Sequence, residues 1–457
     1  MFSPLKDIKV HFIGIGGIGM SGIAEVLLSL GYKVSGSDIA ESATVAKLRK
    51  LGADVFVGHK SENITDATVM VYSSAIDDTN PEVIAAKAKR LPIMRRAEML
   101  AELMRLKKGL AIAGTHGKTT TTSFLATILQ ESKYDPTYII GGIVKNLDGH
   151  AKVGKGEFLV AEADESDGSF LLLNPIMSVV TNIDNDHMDH YGSEANLLSS
   201  FTEFINKVPF YGLTALNAHD ERLMALTKEV KKPWVTFGVE TEADFEARDI
   251  RYENNITIYD LYHSGEKKIE IRITIPGKHN ILNSLGAIAL AFNMGVPFEE
   301  IAKSIIKFDG VGRRFQTLVA KDNFEVIDDY AHHPTEIDVT LKAMKETRPN
   351  KKIVVVFEPH RYSRTRDCWD SFLHCFNSAD TVYISPIYPA SEKPIPGIEA
   401  DRLIADINKL HPDLVKKLDS IENIDSIIDN YKEENVTLVT LGAGSIGRII
   451  REKTNTK

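Results

Sequence analysis

The stretch that most constrains how this chain folds is residues 109–122, GLAIAGTHGKTTTT. The apolar run Leu110, Ala111, Ile112, Ala113 reads as a strand and the sequence after Lys118 favours a helix, so the glycines fall where a strand turns into a helix. In such a turn the backbone N–H groups and the unpaired donors of a helix N-terminus converge on an anion, a lysine adds a point charge, and a hydroxyl reaches magnesium. Gly114, Thr115, His116, Gly117, Lys118, Thr119 and Thr120 are therefore the candidate residues for holding a nucleoside triphosphate. Lys118 is the candidate catalytic charge and Thr119 a candidate metal ligand. The spacing departs from the common G-x-x-x-x-G-K-[ST] pattern, because Gly117 stands three positions after Gly114 rather than five. An ordinary turn with a surface lysine is the plainer reading, and the Gly-Lys-Thr-Thr cluster in this context argues against it.

At 457 residues and 43% hydrophobic composition, the chain is long enough for about three domains with ordinary cores. Its net charge of -9, from 54 basic and 63 acidic residues, leaves no basic surplus for general nucleic-acid or acidic-membrane binding. Cys368 and Cys375 lie seven apart in an expected helix without zinc-type spacing, which reads as buried thiols in a reducing compartment. Lys6 and Lys9 precede the uncharged stretch 12–24, the outline of a signal peptide, but five glycines interrupt it and cleavage there would remove a βα turn. No run reaches the roughly 18 apolar residues of a membrane helix. A cytoplasmic protein without nucleic-acid or membrane partners is expected.

The first third alternates strand and helix signals, with strands expected over residues 10–13, 33–35, 69–72 and 91–93 and a helix over 20–30, the pattern of a parallel α/β sheet. Its first turn, Gly14-Ile15-Gly16-Gly17-Ile18-Gly19, is a G-x-G-x-x-G fingerprint. Asp38 follows Gly19 by 19 residues, at the end of the next strand, where a ribose-reading carboxylate belongs. Gly14, Gly16, Gly17, Gly19 and Asp38 are the candidate substrate-binding residues of this part. The loop itself says only that a pyrophosphate can approach the backbone, so NAD or any other nucleotide diphosphate satisfies it, and a tight turn without ligand is the bland alternative. A charged helix over 96–106, ending in Lys107-Lys108-Gly109, places the first domain boundary at 107/108.

In the middle third an expected strand over 158–162 runs into Ala163-Asp164-Glu165-Ser166-Asp167. A strand ending in acids beside a phosphate loop suits magnesium, which prefers carboxylate and phosphate oxygens, and Glu162 is the first choice of ligand. The run 177–180 ends in TNIDNDHMDH, too many ionisable side chains for a core segment and hence a candidate site. Zinc on His187 and His190 is the competing idea, weakened because no third nitrogen or sulfur ligand lies near. Residues 211–275 give mixed strand and loop signals. After them Pro276-Gly277-Lys278-His279-Asn280 opens a helix whose Asn280 and Asn283 can cap it or read a base.

The last third alternates again, with strands expected over 324–327, 353–357, 380–384 and 436–441 and a helix over 334–346. A second G-x-G-x-x-G, Gly442-Ala443-Gly444-Ser445-Ile446-Gly447, has only ten residues after it, too few for a dinucleotide fold. Asp328-Asp329-Tyr330-Ala331-His332-His333-Pro334 and His360-Arg361-Tyr362-Ser363-Arg364 each follow an expected strand directly, the position where α/β folds bind ligands.

Together these motifs resemble the Mur ligases of peptidoglycan synthesis, and the match runs the length of the chain. It rests on GIGGIGMSG at 14–22, GTHGKTTTT at 114–122, EADESD at 162–167, TNIDNDHMDHY at 181–191, GKHNILN at 277–283, RRF at 313–315, DDYAHHPTEI at 328–337 and EPHRYSR at 358–364. The resemblance implies an α/β fold in three domains. A Rossmann-like domain of residues 1–107 would bind a UDP-sugar, a central P-loop ATPase-type domain of 108–312 would bind ATP, and a Rossmann-like domain of 313–457 would bind an amino acid. The implied activity joins L-alanine to the lactyl carboxylate of UDP-N-acetylmuramate, releasing ADP and phosphate, in a monomer or homodimer. Magnesium is implied at Thr119, Glu162 and His187, adenine contacts at Asn280 and Asn283, and further nucleotide contacts at Arg313 and Asp329. Tyr330, His332, Arg361 and Arg364 match positions that hold alanine and the developing tetrahedral centre, the last three as catalytic candidates. Glu358 and Ser445 stand where glutamine and aspartate are expected in many relatives.

The chemistry fits these residues. A carboxylate is a poor electrophile, and taking the γ-phosphate of ATP turns its oxygen into a leaving group, an acyl phosphate that an amine can attack. Lys118 and magnesium spread the transferring charge, and His332 has the titration range to assist the amine, with His333 the alternative. Within the class, a ligase recycling whole peptides or a folate polyglutamate ligase would share the ATP loop. An NAD dehydrogenase would leave Lys118 idle, and a non-catalytic nucleotide-binding module would leave the histidines and arginines of the last domain without a role.

Overall fold

The computed structural model describes residues 8–73, 76–147, 149–253 and 256–455. Lys6 and the extreme ends of the expected outer domains lie outside them. Three sheets carry the described chain, with five, ten and six strands.

In the first sheet the strands run Asp54–Val57, Lys33–Asp38, Lys9–Ile13, Val69–Tyr72, Ile93–Arg95, all parallel. The first strand thus lies at the centre, and the order reverses beside it, where such sheets open a crevice at the strand ends. The turn from Gly14 leaves that strand and enters the helix Ile18–Ser29. Local chemistry sets the other helices: Asn80 accepts from Glu82 N at 2.9 Å and Pro81 takes the first position of Pro81–Ala88, where its missing N–H costs nothing.

The middle sheet places Lys108–Ala113 between Met177–Val180 and Phe158–Glu162. Leu213–Asn217 and Trp234–Val239 extend it in parallel on one side, and Thr137–Val144 does so on the other, followed by the antiparallel Gly149–Lys152. The strand Lys108–Ala113 is buried on both faces, as a central parallel strand must be. Helix Ile18–Ser29 lies on this sheet: a Cβ on Gly22 would meet Ile139 and Ala151 at 3.2 and 3.3 Å, and Ser21 Oγ is 3.0 Å from His150 Nε2. The first two sheets therefore share one apolar core, running from Val10 and Phe12 through Ala111 and Leu159 to Phe201 and Phe204.

The third sheet runs Gln316–Ala320, Phe324–Asp329, Val436–Leu441, Lys352–Phe357, Thr381–Ile384, Val415–Lys417, parallel except for its first strand. Helix Pro334–Thr347 covers a core of Ile327, Leu341, Val355, Phe357 and Val439. The chain forms two compact units. One comprises Met1–Arg248, Asp260–Ile271 and Leu282–Phe308, and the other Asp249–Tyr259, Arg272–Ile281 and Asp309–Lys457.

The expected helix over the two cysteines is corrected. Cys368, at φ -106 and ψ 17, interrupts it, leaving Tyr362–Asp367 and the single turn Trp369–Phe372, with Cys375 beyond both. The two cysteines form no disulfide with each other; Cys375 is buried, and Cys368, partly exposed, has its Sγ 3.4 Å from His333 Nε2. Among the described residues no helix is long and apolar enough to cross a membrane.

Candidate active site

The loop at 114–118 is held in shape by the TNID segment of the neighbouring strand. Thr115 N donates to Asn182 O at 3.0 Å, His116 N to Asn182 Oδ1 at 2.9 Å, and Asp184 N to Thr115 Oγ1 at 2.9 Å. Gly117, at φ +83, caps the helix Lys118–Glu131, and Gly114 sits at φ +124. A Cβ on Gly114 would fall 2.1 Å from Thr181 Oγ1 and one on Gly117 2.3 Å from Asn283 Oδ1, so both positions need glycine for backbone and for space. The first-turn N–H groups of Lys118, Thr119 and Thr120 are the unpaired donors of this helix start.

Three acids gather around Lys118. Its Nζ donates to Glu165 Oε1 at 2.9 Å and to the carbonyls of Gly114 and Thr115 at 2.6 and 3.0 Å. Burial alone would lower this amine, yet Glu165, Asp164 and Glu162 raise it, so the lysine is firmly charged. Burial, helped by Asp164, pushes Glu165 up to about 7 against the pull of Lys118. Burial would also raise Asp164, but Lys118 and Arg96 hold it below the usual carboxylate range.

Thr119 Oγ1 donates to Glu162 Oε2 at 3.1 Å, and Glu162 Oε1 accepts from Gly141 N. A hydroxyl and an oriented carboxylate at the start of a phosphate-loop helix are the oxygen donors magnesium prefers. His187, at φ +58, opens a short helix with its Nε2 3.5 Å from Asp186 Oδ2. His190 instead faces Gly168, whose Cβ would lie 2.9 Å from its Nε2, so the two imidazoles expected of a zinc site are engaged with different neighbours.

At the first glycine turn, Gly14 N and Ile15 N donate to Ser37 O at 2.8 and 3.1 Å. Asp38 stands across the turn, its Oδ2 accepting from Gly16 N at 2.8 Å, while Gly17 and Ile18 at the helix start are exposed. Gly19 packs on Arg96, whose Nη1 would lie 3.0 Å from a Cβ there, and Arg96 Nη2 donates to Asp164 Oδ2 at 3.0 Å. Arg96 thus ties the first turn to the acids around Lys118. Neither Arg96 nor Glu165 was among the candidates from the sequence. The doubled acids of EADESD were the one available signal for Glu165, and nothing in a charged helix marks Arg96.

In the other unit, RRF and DDYAHH are knitted by Asp329, whose carboxylate accepts from Phe315 N and Ala331 N, both at 2.7 Å. Burial pushes Asp329 up to about 6. Arg313 donates through Nη2 to Gly442 O at 2.6 Å and lies 4.8 Å over the Tyr330 ring. His332 Nδ1 is 3.0 Å from Tyr330 O and so carries the proton, which leaves Nε2 as an acceptor. Burial, reinforced by Arg364, pulls His332 down to about 3, and burial with Arg364 and Arg361 takes His360 to about 4. The expectation that His332 titrates near neutrality is thereby corrected, since burial and Arg364 favour the neutral imidazole. His333 is committed elsewhere, as the cap of helix Pro334–Thr347 accepting from Thr335 N at 3.4 Å. Arg361 takes φ +73 at the start of Tyr362–Asp367, which also carries Arg364. Asn280 donates to Pro276 O at 2.6 Å, whereas Asn283 belongs to the first unit, where its Oδ1 accepts from Thr121 Oγ1 at 3.3 Å.

Known proteins resemble this chain along most of its length. Models of the Mur ligase family match in chain order: its catalytic domain over residues 9–108, its middle domain over 112–291 and its glutamate ligase domain over 313–444. A curated UDP-N-acetylmuramate–L-alanine ligase of Trichlorobacter lovleyi is 48% identical over 439 residues, 96% of each chain. The crystal structure of a UDP-N-acetylmuramate–alanine ligase from Thermotoga maritima superposes with a TM-score of 0.83 at 31% identity, covering 98% of this chain and 100% of that one. A murein peptide ligase from Psychrobacter arcticus shares the fold, with a TM-score of 0.72 at 23% identity and 98% coverage of both chains.

Proposed function

The chain belongs to the Mur ligase family, and from that premise we propose that it joins L-alanine to the lactyl carboxylate of UDP-N-acetylmuramate at the expense of ATP. The observation that carries this reading is the 48% identity to a ligase of that name across 96% of the chain. The three domains are assigned to residues 1–107, 108–312 and 313–457.

The residues divide the work in a physically sensible way. The turn at 14–19 receives the UDP pyrophosphate, its exposed helix start supplying N–H donors. Lys118 sits against the β- and γ-phosphates, having exchanged its loop carbonyls for them, and spreads the charge of the transferring group. Thr119, Glu162 and His187 would hold magnesium, which would neutralise phosphate charge. The lactyl carboxylate oxygen attacks the γ-phosphorus, ADP leaves, and the acyl phosphate now carries a good leaving group. Alanine's amine then attacks the carbonyl carbon, and the tetrahedral centre expels inorganic phosphate, which takes up the proton the nitrogen loses.

Arg361 and Arg364 hold the alanine carboxylate and the oxyanion. His332, neutral and with Nε2 free to accept, takes a hydrogen bond from the amine and orients its lone pair, rather than storing a proton through the cycle. Phosphate release with ATP, UDP-N-acetylmuramate and a panel of single amino acids and of tripeptides beginning in L-alanine tests the assignment. Release stimulated by free L-alanine above the others is expected, and release stimulated only by the tripeptides would move the chain to peptide recycling.

A further inference from the structure

The second glycine turn, 442–447, has the phosphate-binding pattern and no place in the reaction just described. The structure shows what fills it. Glu358, at the end of strand Lys352–Phe357, turns its carboxylate into the turn: Oε1 accepts from Ser445 Oγ at 2.6 Å and Oε2 from Ile446 N at 3.0 Å, the first residue of helix Ile446–Asn455. Glu358 is 3% exposed, and a Cβ on Gly444 would fall 2.5 Å from Oε2. A side chain of the protein thus occupies the seat at a helix N-terminus that an anionic ligand takes in other glycine turns.

The same residue begins the segment that carries His360, Arg361 and Arg364. Pro359 O accepts from Tyr388 N at 2.8 Å, and Tyr388 O in turn accepts from Arg361 N at 2.8 Å. The His360 ring stacks on Tyr388 at 5.5 Å and 9°, and Tyr388 also packs on Gly444, whose Cβ would meet its Cγ at 2.8 Å. Arg361 sits at φ +73, a conformation that a non-glycine residue keeps only where its surroundings over-determine it.

We propose that Glu358 is a positioning residue for the amino-acid site, its carboxylate serving as the built-in anion of the second glycine turn and anchoring the 359–364 segment against it. The proposal rests on the reading of Arg361 and Arg364 as the residues that meet alanine.

Steady-state kinetics on Glu358→Ala, Glu358→Gln and Ser445→Ala, with each substrate varied, test it. Glu358→Ala is expected to raise KM for L-alanine about tenfold or more while leaving KM for ATP and for UDP-N-acetylmuramate within about twofold. Glu358→Gln, which keeps an acceptor for Ile446 N, stays within about threefold of wild type. Sodium formate, tens of millimolar by order of magnitude, enters the space left in Glu358→Ala, lowers its alanine KM and raises its melting temperature with no such rise in wild type. If Glu358→Ala does not fold, Ser445→Ala, which removes one of the two hydrogen bonds, carries the test with an alanine KM raised about threefold.

A folded Glu358→Ala or Ser445→Ala with wild-type alanine KM, or a rise shared equally by all three substrates, overturns the proposal. Wild-type protein without alanine-dependent phosphate release overturns the functional reading instead. In that case the formate-induced melting shift still reports on the anion seat.

Discussion

The chain contains the same six-residue glycine pattern twice, at 14–19 and at 442–447, and the two turns have opposite fates. In the first, Asp38 accepts from Gly16 N in the middle of the turn and from Ala40 N beyond it, and the helix start at Gly17 and Ile18 is exposed. In the second, Glu358 reaches the helix start itself and Ile446 and Gly447 are buried, with Arg313 Nε 2.3 Å from where a Gly447 Cβ would stand. The pattern specifies a backbone that can bind an anion. Whether the anion is a ligand or a side chain depends on a residue more than eighty positions away, which no local motif contains. The phosphate loop at 114–118 belongs with the open turn, since its own acid, Glu165, engages Lys118 rather than the helix N–H groups.

The largest effect expected from this contrast is at the phosphate loop. Lys118→Ala should keep its fold and lose turnover by about a hundredfold or more, because phosphoryl transfer loses a charge placed for its transition state. Phosphate release at the wild-type rate from a folded Lys118→Ala would remove the nucleotide assignment.

Next come matched substitutions in the two patterned turns. Gly16→Val drives a side chain toward Asp38 Oδ2, 2.8 Å from the Cβ position, and into the open face of the turn. UDP-N-acetylmuramate affinity should fall about tenfold while ATP affinity holds. Gly444→Val meets Glu358 and Tyr388 instead, and should cost about 1–3 kcal/mol of stability without changing UDP-N-acetylmuramate affinity. Calorimetry with each nucleotide and urea unfolding separate the two, and equal loss of UDP-sugar binding in both variants would erase the distinction between open and filled turns.

The two units should also differ in the sign of their response to pH. Glu165 in the first is raised to about 7, so its contribution to stability is complete below the ordinary carboxyl range and is lost as pH rises through about 7. His332 in the second is depressed to about 3 from an ordinary 6.5, so its contribution is complete above 6.5 and is lost as pH falls from there toward 3. Urea unfolding from pH 4.5 to 8 should show Glu165→Gln gaining on wild type as pH rises and His332→Asn gaining as pH falls. Parallel curves for either variant would contradict the burial argument. Smallest is Ser445→Ala, expected to lose about 1 kcal/mol for one hydrogen bond to Glu358. No loss in urea unfolding would mean that the filled turn does not depend on it.

Much of this was legible in the sequence where the signal is local. Apolar runs such as Ile353–Phe357 lie in central parallel strands buried on both faces, so they stand out without context. The glycine turns and strand-end clusters were legible because backbone conformation and position along a strand are local properties. Residues 211–275 were not, because strands such as Phe245–Glu253 alternate buried and exposed segments irregularly and have no clear period. The break at Cys368 was hidden for a different reason, as nothing in RDCWD forbids a helix. Arg96, Glu165 and the capping role of His333 are tertiary facts: each depends on what lies opposite. The depression of His332 is likewise a product of burial and of Arg364, neither of which the side chain's own chemistry announces.

The account stands on activation of a carboxylate by the γ-phosphate before the amine attacks, and oxygen-18 in the lactyl carboxylate of UDP-N-acetylmuramate tests that most directly. With ATP and L-alanine present, mass spectrometry should find the label in the released inorganic phosphate, because the acyl phosphate breaks between carbonyl carbon and bridging oxygen. Product formed alongside unlabelled phosphate, or label appearing in AMP, would contradict it.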